Sequence, residues 1–132
     1  MSTFIATIKK IQTVDTLNLV TFDFHGAELM MMSLVLHQNI QVGKKVSLVI
    51  KSTAIALAKE FSGELSYANK IHASIVSVDN GELLSSVKLQ ANGNSFECLI
   101  TKESSVKMNL QAGDIVLALL KASELSIAEV LE

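Results

Sequence analysis

The sequence of 132 residues contains no proline, no tryptophan and no arginine, and it has a single cysteine. Arginine supplies most bidentate contacts to bases and phosphates, and the net charge of −2 provides no basic face, so a nucleic-acid partner is disfavoured. Cys98 cannot form an internal disulfide, and its apolar neighbours Phe96, Leu99 and Ile100 favour a buried thiol in a reducing compartment.

Membrane-spanning and catalytic signals are missing as well. No apolar run approaches the roughly 18 residues of a membrane span, and residues 1–10 lack the basic start and long apolar core of a signal peptide. We therefore expect a soluble cytoplasmic protein. His25, His37 and His72 have no partner at metal-ligand spacing, and consecutive methionines at 30–32 are better explained as core residues than as a metal site. Because no nucleophile–base pair or phosphate loop occurs, an enzyme is not expected.

An internal repeat organises the chain. Residues 42–58 and 112–128 share a turn glycine, an apolar run, a lone lysine, a small hydroxyl residue and a second short apolar run, at a constant offset of 70 (113 − 43 and 121 − 51). The first part of each copy matches at an offset of 64 (75 − 11), which predicts a six-residue insertion in the first half of the second copy. Two copies of one unit are expected, each depending on its twin or on another subunit for stability.

Each copy predicts five strands and a short helix. Period-two alternation indicates strands at 4–14, 17–24, 28–32, 45–50 and 54–58, and again at 66–78, 83–90, 95–100, 115–120 and 124–130. A short helix is predicted between the third and fourth strands of each copy, at 33–39 and 103–109. This order predicts an all-β fold with short helices, built from two tandem OB-like Greek-key barrels at 1–61 and 66–132, with a linker at 62–65.

The lysine that closes the fourth strand, Lys51 and Lys121, is the informative residue. A single such lysine would be explained as a solvated strand end. The lysine recurs, however, and is followed by Ser52-Thr53 in one copy and by Ala122-Ser123 in the other. A cation with adjacent hydroxyl and backbone N–H donors is what binding of a tetrahedral oxyanion requires, so the recurrence also favours an anion site.

At this point the residues resemble a known family. Residues 119–128, preceded by 110–116 and 99–104, look like the molybdenum-pterin-binding (Mop) domain of molbindins, and residues 65–71 are similar to the family's Ser-Ala-Arg-Asn-Gln-Leu opening. The resemblance covers both copies. It implies OB-like units that exchange strands and assemble as a homo-oligomer, with a trimer favoured over a dimer, and it implies molybdate or tungstate bound between units, with no metal ligand or redox cofactor.

The resemblance also implies a set of oxyanion donors. From the second copy these would be Ser66, Thr101, Lys121, Ala122 and Ser123, and from the first copy Ser2, Lys51, Ser52 and Thr53. In this alignment Met31 takes the place of Thr101. Ala68 and Phe4 stand where the family has its arginine, so each site would lose a charge-assisted donor.

Three functions follow as hypotheses. The first is molybdate or tungstate binding for storage, buffering or homeostasis. The second is an oligomerisation or sensing module whose anion sites have eroded with the loss of the arginines. The third is a nucleic-acid-binding OB barrel, which the scarcity of aromatic residues (5%) disfavours.

Overall fold

The computed structural model describes residues 1–131. Its elements, in chain order, are β1 (Ser2–Val14), β2 (Leu17–Phe24), β3 (Ala27–Ser33), β4 (Lys45–Ile50), a 3-10 helix (Ser52–Ala54), β5 (Ala56–Ala58), β6 (Asn69–Asn80), β7 (Leu84–Ala91), β8 (Asn94–Thr101), α1 (Lys102–Lys107), β9 (Ile115–Leu120) and β10 (Ser126–Val130). The strands form two five-stranded antiparallel sheets. The predicted all-β class with short helices and two OB-like units in tandem is confirmed.

Each sheet contains one strand from the other copy. The first sheet has the order β10-β4-β1-β2-β3, and the second has the order β5-β9-β6-β7-β8. The last strand of each copy therefore leaves its own sheet and pairs with the fourth strand of the other copy. The two sheets cannot be assigned to separate, self-sufficient halves of the chain.

Two hairpin turns follow directly from local sequence. Asn92 and Gly93 have φ values of 51° and 78°, and His25 and Gly26 have φ values of 51° and 87°. Positive φ at both central residues defines a type I′ turn, which glycine and asparagine adopt at low cost. Both turns lie in the gaps between predicted strands, at 25–27 and 91–94.

The strand pairing corrects the predicted internal alignment. Ile8 pairs with Phe22 in the first sheet, and Ile75 pairs with Leu89 in the second, so both strands differ by 67 residues (75 − 8 and 89 − 22). The predicted offset of 64 is wrong. Apolar residues recur every third position along β1, at 8, 11 and 14, so the sequence pattern matches itself equally well after a shift of three.

The insertion is shorter than predicted and lies elsewhere. From β4 and β9 onward the offset is 70 (115 − 45), so the second copy gains three residues (70 − 67) between its third and fourth strands. The connection between these strands has eleven residues in the first copy, 34–44, and thirteen in the second, 102–114. The third added residue is Thr101, which belongs to β8 and makes that strand one residue longer than β3. The β1–β2 and β6–β7 hairpins keep the same length.

The longer connection forms a helix and the shorter one does not. Thr101 caps α1, because its side chain accepts a hydrogen bond from the backbone N–H of Ser104. In the first copy the hydroxyl of Ser33 instead bonds to the backbone of Val35, two residues on, and residues 33–39 contain no helix. The predicted helix at 33–39 is wrong, and the helix predicted at 103–109 is observed with slightly earlier bounds.

Aromatic side chains from both copies meet in one core. The ring of Phe4 lies 5.6 Å from that of Phe24 and 4.9 Å from that of Phe96, measured between ring centroids. Cys98 is fully buried, and its thiol contacts the carbonyl oxygen of Ile55 at 3.1 Å. The expectation of a buried thiol is confirmed, and the two copies share one core.

No helix within residues 1–131 combines the length and the apolar character that crossing a membrane would require.

Candidate functional site

The two recurring lysines occupy equivalent positions, at the points where the chain leaves one sheet for the other. Lys51 follows β4 and precedes the 3-10 helix, and its carbonyl oxygen accepts a hydrogen bond from the N–H of Ala54 at 2.8 Å. Lys121 follows β9, and its carbonyl oxygen accepts from the N–H of Glu124 at 3.0 Å. We call residues 51–53 and 121–123 the lysine turns.

Both lysine side chains are exposed. Within residues 1–131 the ion pairs join Lys9 to Glu28 and Lys59 to Asp114, and neither involves Lys51 or Lys121. Each lysine turn therefore presents an ammonium group that no carboxylate of the described chain neutralises. Thr53 and Ser123, two residues after each lysine, are also exposed, so both turns combine a cation with an accessible hydroxyl.

Ser52, the middle residue of the first lysine turn, forms a hydrogen bond that stabilises the fold. Ser2 Oγ donates to the carbonyl oxygen of Glu97 at 2.6 Å and accepts from the Glu97 N–H at 3.1 Å. It also lies 3.2 Å from Ser52 Oγ. A serine hydroxyl has one proton. Because Ser2 gives its proton to Glu97, Ser52 must donate to Ser2, and the Ser52 hydroxyl has no proton left for an anion.

A corresponding contact holds the second copy to the first. Asn69 is fully buried, and its side chain accepts from the N–H of Met30 at 2.6 Å and donates to the Met30 carbonyl at 2.9 Å. Ser2 and Asn69 differ by 67, as do Met30 and Glu97, so the two contacts are equivalent. Sequence reasoning missed Asn69, although an asparagine at the start of a strand is a signal that could have marked it.

The middle residue of the second turn is also structural. Ala122 has no hydroxyl, and its carbonyl oxygen accepts from the N–H of Met32, on the edge strand β3, at 2.9 Å. In both copies, therefore, the middle position of the lysine turn helps to hold the edge strand of the other copy, directly or through Ser2. The side-chain groups left for a ligand are the lysine ammonium and the hydroxyl of the third residue.

The structure brings some of the predicted donors together and leaves others apart. Ser2 and Ser52 are in contact, as described. Thr101 caps α1 and donates to Ser104 Oγ at 2.9 Å, and Ser66 is exposed in the segment that precedes β6. Among residues 1–131 no hydrogen bond joins Thr101 or Ser66 to either lysine turn.

The corrected alignment changes three assumed equivalences between the copies. With the offset of 67, Ser2 corresponds to Asn69 and not to Ser66. The predicted equivalence of Met31 with Thr101 is wrong, since Met31 corresponds to Cys98 (98 − 31). Likewise the counterpart of Ala68 is Met1 and not Phe4, which lies in the core.

Two cavities adjoin residues that were predicted as oxyanion donors. Ser2 lines a cavity of about 430 Å³ together with Lys88 and Glu97. Thr101 lines another of about 530 Å³ with Lys102. Neither cavity includes a residue of a lysine turn, and the first and third residues of both turns are exposed.

Comparison with known proteins agrees with this architecture. Residues 65–127 match the TOBE domain family. The chain is 27% identical over 88 residues to the molybdenum transport protein ModE of Azotobacter vinelandii; the match spans 66% of this chain and 33% of that protein, about a third of its length.

A solved structure shares the fold over nearly the whole chain. The cytoplasmic molybdate-binding protein ModG, crystallised with molybdate bound, superposes with a TM-score of 0.86 at 22% sequence identity, covering 95% of this chain and 93% of that one. At this identity the likeness establishes a common fold. Together these findings confirm the resemblance to the Mop domain family.

Proposed function

We propose that this protein binds molybdate or tungstate reversibly, because residues 65–127 match the TOBE domain family and the chain shares the fold of the molybdate-binding protein ModG. It acts without catalysis, in the storage, buffering or homeostasis of the anion in the cytoplasm. The observation that carries the proposal is the recurrence of an exposed lysine, unneutralised within the described chain, beside an exposed hydroxyl at equivalent points of both copies.

The donors fit a tetrahedral dianion. In each lysine turn the ammonium group supplies charge, the hydroxyl of Thr53 or Ser123 supplies a directed donor, and exposed backbone N–H groups supply further ones. Ser52 takes part only through its N–H, because its hydroxyl proton is given to Ser2. Ser66 contributes its exposed hydroxyl from a neighbouring unit, and Thr101 contributes after its hydroxyl proton turns from Ser104 Oγ to the anion.

Assembly completes the site in this proposal. A lysine turn on an open surface surrounds an anion on one side only, and the remaining oxygens need donors from another surface. We propose that the chain forms a homo-oligomer, preferably a trimer, in which lysine turns face donors of adjacent subunits. Burial there strengthens each charge-assisted hydrogen bond.

A site composed only of donors explains selectivity. Molybdate is fully deprotonated near neutral pH, whereas phosphate keeps a proton part of the time. In a pocket without an acceptor that proton is unpaired, which costs roughly 1–3 kcal/mol. Sulfate carries no such proton and is discriminated by its smaller size.

Thermal unfolding with molybdate, tungstate, sulfate and phosphate at matched ionic strength tests the proposal. A ligand at about 100 times its dissociation constant stabilises the folded state by roughly 2.7 kcal/mol, enough to raise Tm by several degrees. We expect a shift with molybdate and tungstate only. The Lys51→Ala/Lys121→Ala double variant should lose the shift, and Lys102→Ala, which removes an exposed lysine from α1, should keep it.

A second candidate function rests on the missing arginine. Met1 and Ala68 occupy the equivalent positions, and neither side chain offers a donor. If no anion shifts Tm in the unmodified protein, the anion sites have eroded and the chain is an oligomerisation or sensing module. If all four anions shift Tm equally, binding is nonspecific and molybdate recognition is refuted.

A further inference from the structure

The two lysine turns share one backbone geometry. In each, the lysine carbonyl oxygen accepts a hydrogen bond from the N–H three residues on, at 2.8 Å in the first turn and 3.0 Å in the second. Such a bond closes a tight turn, in which the Cα atoms of the first and fourth residues lie within about 7 Å of each other. The next residue, Ile55 or Leu125, is buried in both copies. The backbone therefore holds the fourth residue, Ala54 or Glu124, equally close to the lysine of its turn.

The fourth residue differs in charge between the copies. Ala54 and Glu124 are counterparts, at the offset of 70 (124 − 54) that also relates Lys51 to Lys121. The Glu124 side chain is exposed, like those of Lys121 and Ser123. Among the described residues 1–131 the ion pairs join other side chains, so no ion pair joins Glu124 to Lys121. The stretch 51–54 therefore carries a net positive charge, whereas the stretch 121–124 carries none.

A carboxylate this close acts on a bound anion without touching it. The Coulomb energy of two charges falls only as the inverse of their distance. Exposed charges are largely screened only beyond a Debye length of roughly 8–10 Å. Glu124 also attracts the Lys121 ammonium and so competes with an anion for that cation. Both effects weaken anion binding at the second turn, and neither operates beside Ala54.

We propose that Glu124 makes the two lysine turns unequal sites, so that residues 51–53 bind molybdate with higher affinity than residues 121–123. The inequality rests on the oxyanion function proposed above and sets the order in which the turns are filled. Repulsion between a carboxylate and a dianion about 7 Å apart in water corresponds to about a fivefold difference in dissociation constant. A chain with a stronger and a weaker site is partly loaded over a wider range of anion concentration than a chain with two equal sites, as buffering requires.

Titration calorimetry of the full chain with molybdate, at low ionic strength, tests the order of filling. Each single-lysine variant leaves one turn intact, so Lys121→Ala reports on the first turn and Lys51→Ala reports on the second. We expect the dissociation constant of Lys51→Ala to be about fivefold higher than that of Lys121→Ala.

Reciprocal substitutions assign the difference to Glu124. In the Lys51→Ala background, Glu124→Gln keeps the shape of the side chain, removes its charge and should tighten binding about fivefold. In the Lys121→Ala background, Ala54→Glu should weaken binding about fivefold relative to Ala54→Gln, which adds a side chain of the same size without charge. Asp79→Asn, which neutralises an exposed carboxylate on β6, is the control and should leave both affinities unchanged.

The outcomes separate the inequality of the turns from the oxyanion function itself. If the unmodified protein takes up no molybdate, the oxyanion function is refuted and the inequality with it. If molybdate binds, three results would overturn the inequality alone: equal affinity in the two lysine variants, tighter binding in Lys51→Ala, or unchanged affinity after Glu124→Gln. The last of these decides the matter even if Ala54→Glu does not fold.

Discussion

At the scale of single residues, Ser2 and Asn69 do the same work with different chemistry. Each begins the first strand of its copy and satisfies both the N–H and the carbonyl of one residue on the other copy's edge strand. Ser2 does so with a single hydroxyl, which also accepts a third hydrogen bond from Ser52. Asn69 does so with a complete amide, which has a separate donor and acceptor.

Removing these side chains should destabilise the fold unequally. Asn69→Ala deletes two hydrogen bonds at a fully buried position and should lower the free energy of unfolding by about 2–3 kcal/mol. Ser2→Ala should cost about 1–2 kcal/mol, because it removes a single hydroxyl and leaves a smaller void than the loss of a buried amide. Chemical denaturation measures both, with Thr3→Ala, an exposed neighbour, as the control. Equal stability of all three variants would contradict the assigned hydrogen bonds.

The thiol of Cys98 should be unreactive in the folded protein. Burial, and secondarily the charge of Glu97, raises the pKa of Cys98 to about 12. Since the thiolate is the reactive form, a disulfide reagent at pH 8 should label the native protein far more slowly than the unfolded protein. Because the folded pKa is raised, the contribution of this group to stability is complete below pH 9 and declines as pH rises toward 12. Labelling at the same rate before and after unfolding would disprove the burial.

At the scale of elements, sequence periodicity predicted the strands well, and it predicted the connections poorly. Strands β4 and β9 have the predicted bounds, since each apolar run follows a glycine turn and ends at a lysine. The helix at 33–39 was wrong because Ser33 is a good N-cap residue in isolation, and the length of the connection, not the cap, decides whether a helix forms. The predicted offset of 64 is wrong because apolar residues recur at every third position of β1. The apolar pattern of β1 therefore still matches that of β6 when the alignment is shifted by three residues.

The ion pair between Lys59, which follows β5, and Asp114, which precedes β9, should respond to acid. The Gln111 N–H and the Lys59 ammonium hold the pKa of Asp114 below its usual range. A lowered folded pKa means that this stabilisation is present above the unfolded pKa near 4 and is lost as pH falls through the folded value. Asp114→Asn should flatten the fall in stability below pH 4, measured by denaturation at several pH values. Asp15→Asn, at an exposed turn, is the control, and an identical acid profile in Asp114→Asn would contradict the ion pair.

At the scale of the whole molecule, the strand exchange joins the two copies more closely than adjacent domains on one chain. The repeat itself could be predicted from the sequence, because residues 42–58 and 112–128 match at one offset. The exact partners of Asn69 and Ser52 could not, because a hydrogen bond between copies leaves no periodic trace in the chain. The oxyanion donors at Lys51 and Lys121 stay a prediction, because the proposed site also needs donors from an adjacent subunit.

A cut in the linker should not separate the halves. A protease site placed within residues 62–64, which are exposed, would leave β5 paired with β9 and β10 paired with β4. We expect the two fragments to elute together in size-exclusion chromatography under native conditions and apart in denaturant. A cut after Asp15, within the β1–β2 hairpin, serves as the comparison. Separate elution of the halves without denaturant would contradict the exchange.

The same exchange has a consequence for how the two copies can diverge. If the partner strands came from separate polypeptides, pairing would weaken on dilution and both copies would have to remain identical. Because one polypeptide carries both, each strand meets its partner at a fixed effective concentration that does not depend on the amount of protein. One copy has α1 and Asn69, whereas the other has a shorter connection and Ser2. The covalent link between the copies therefore allows them to differ without loss of strand pairing.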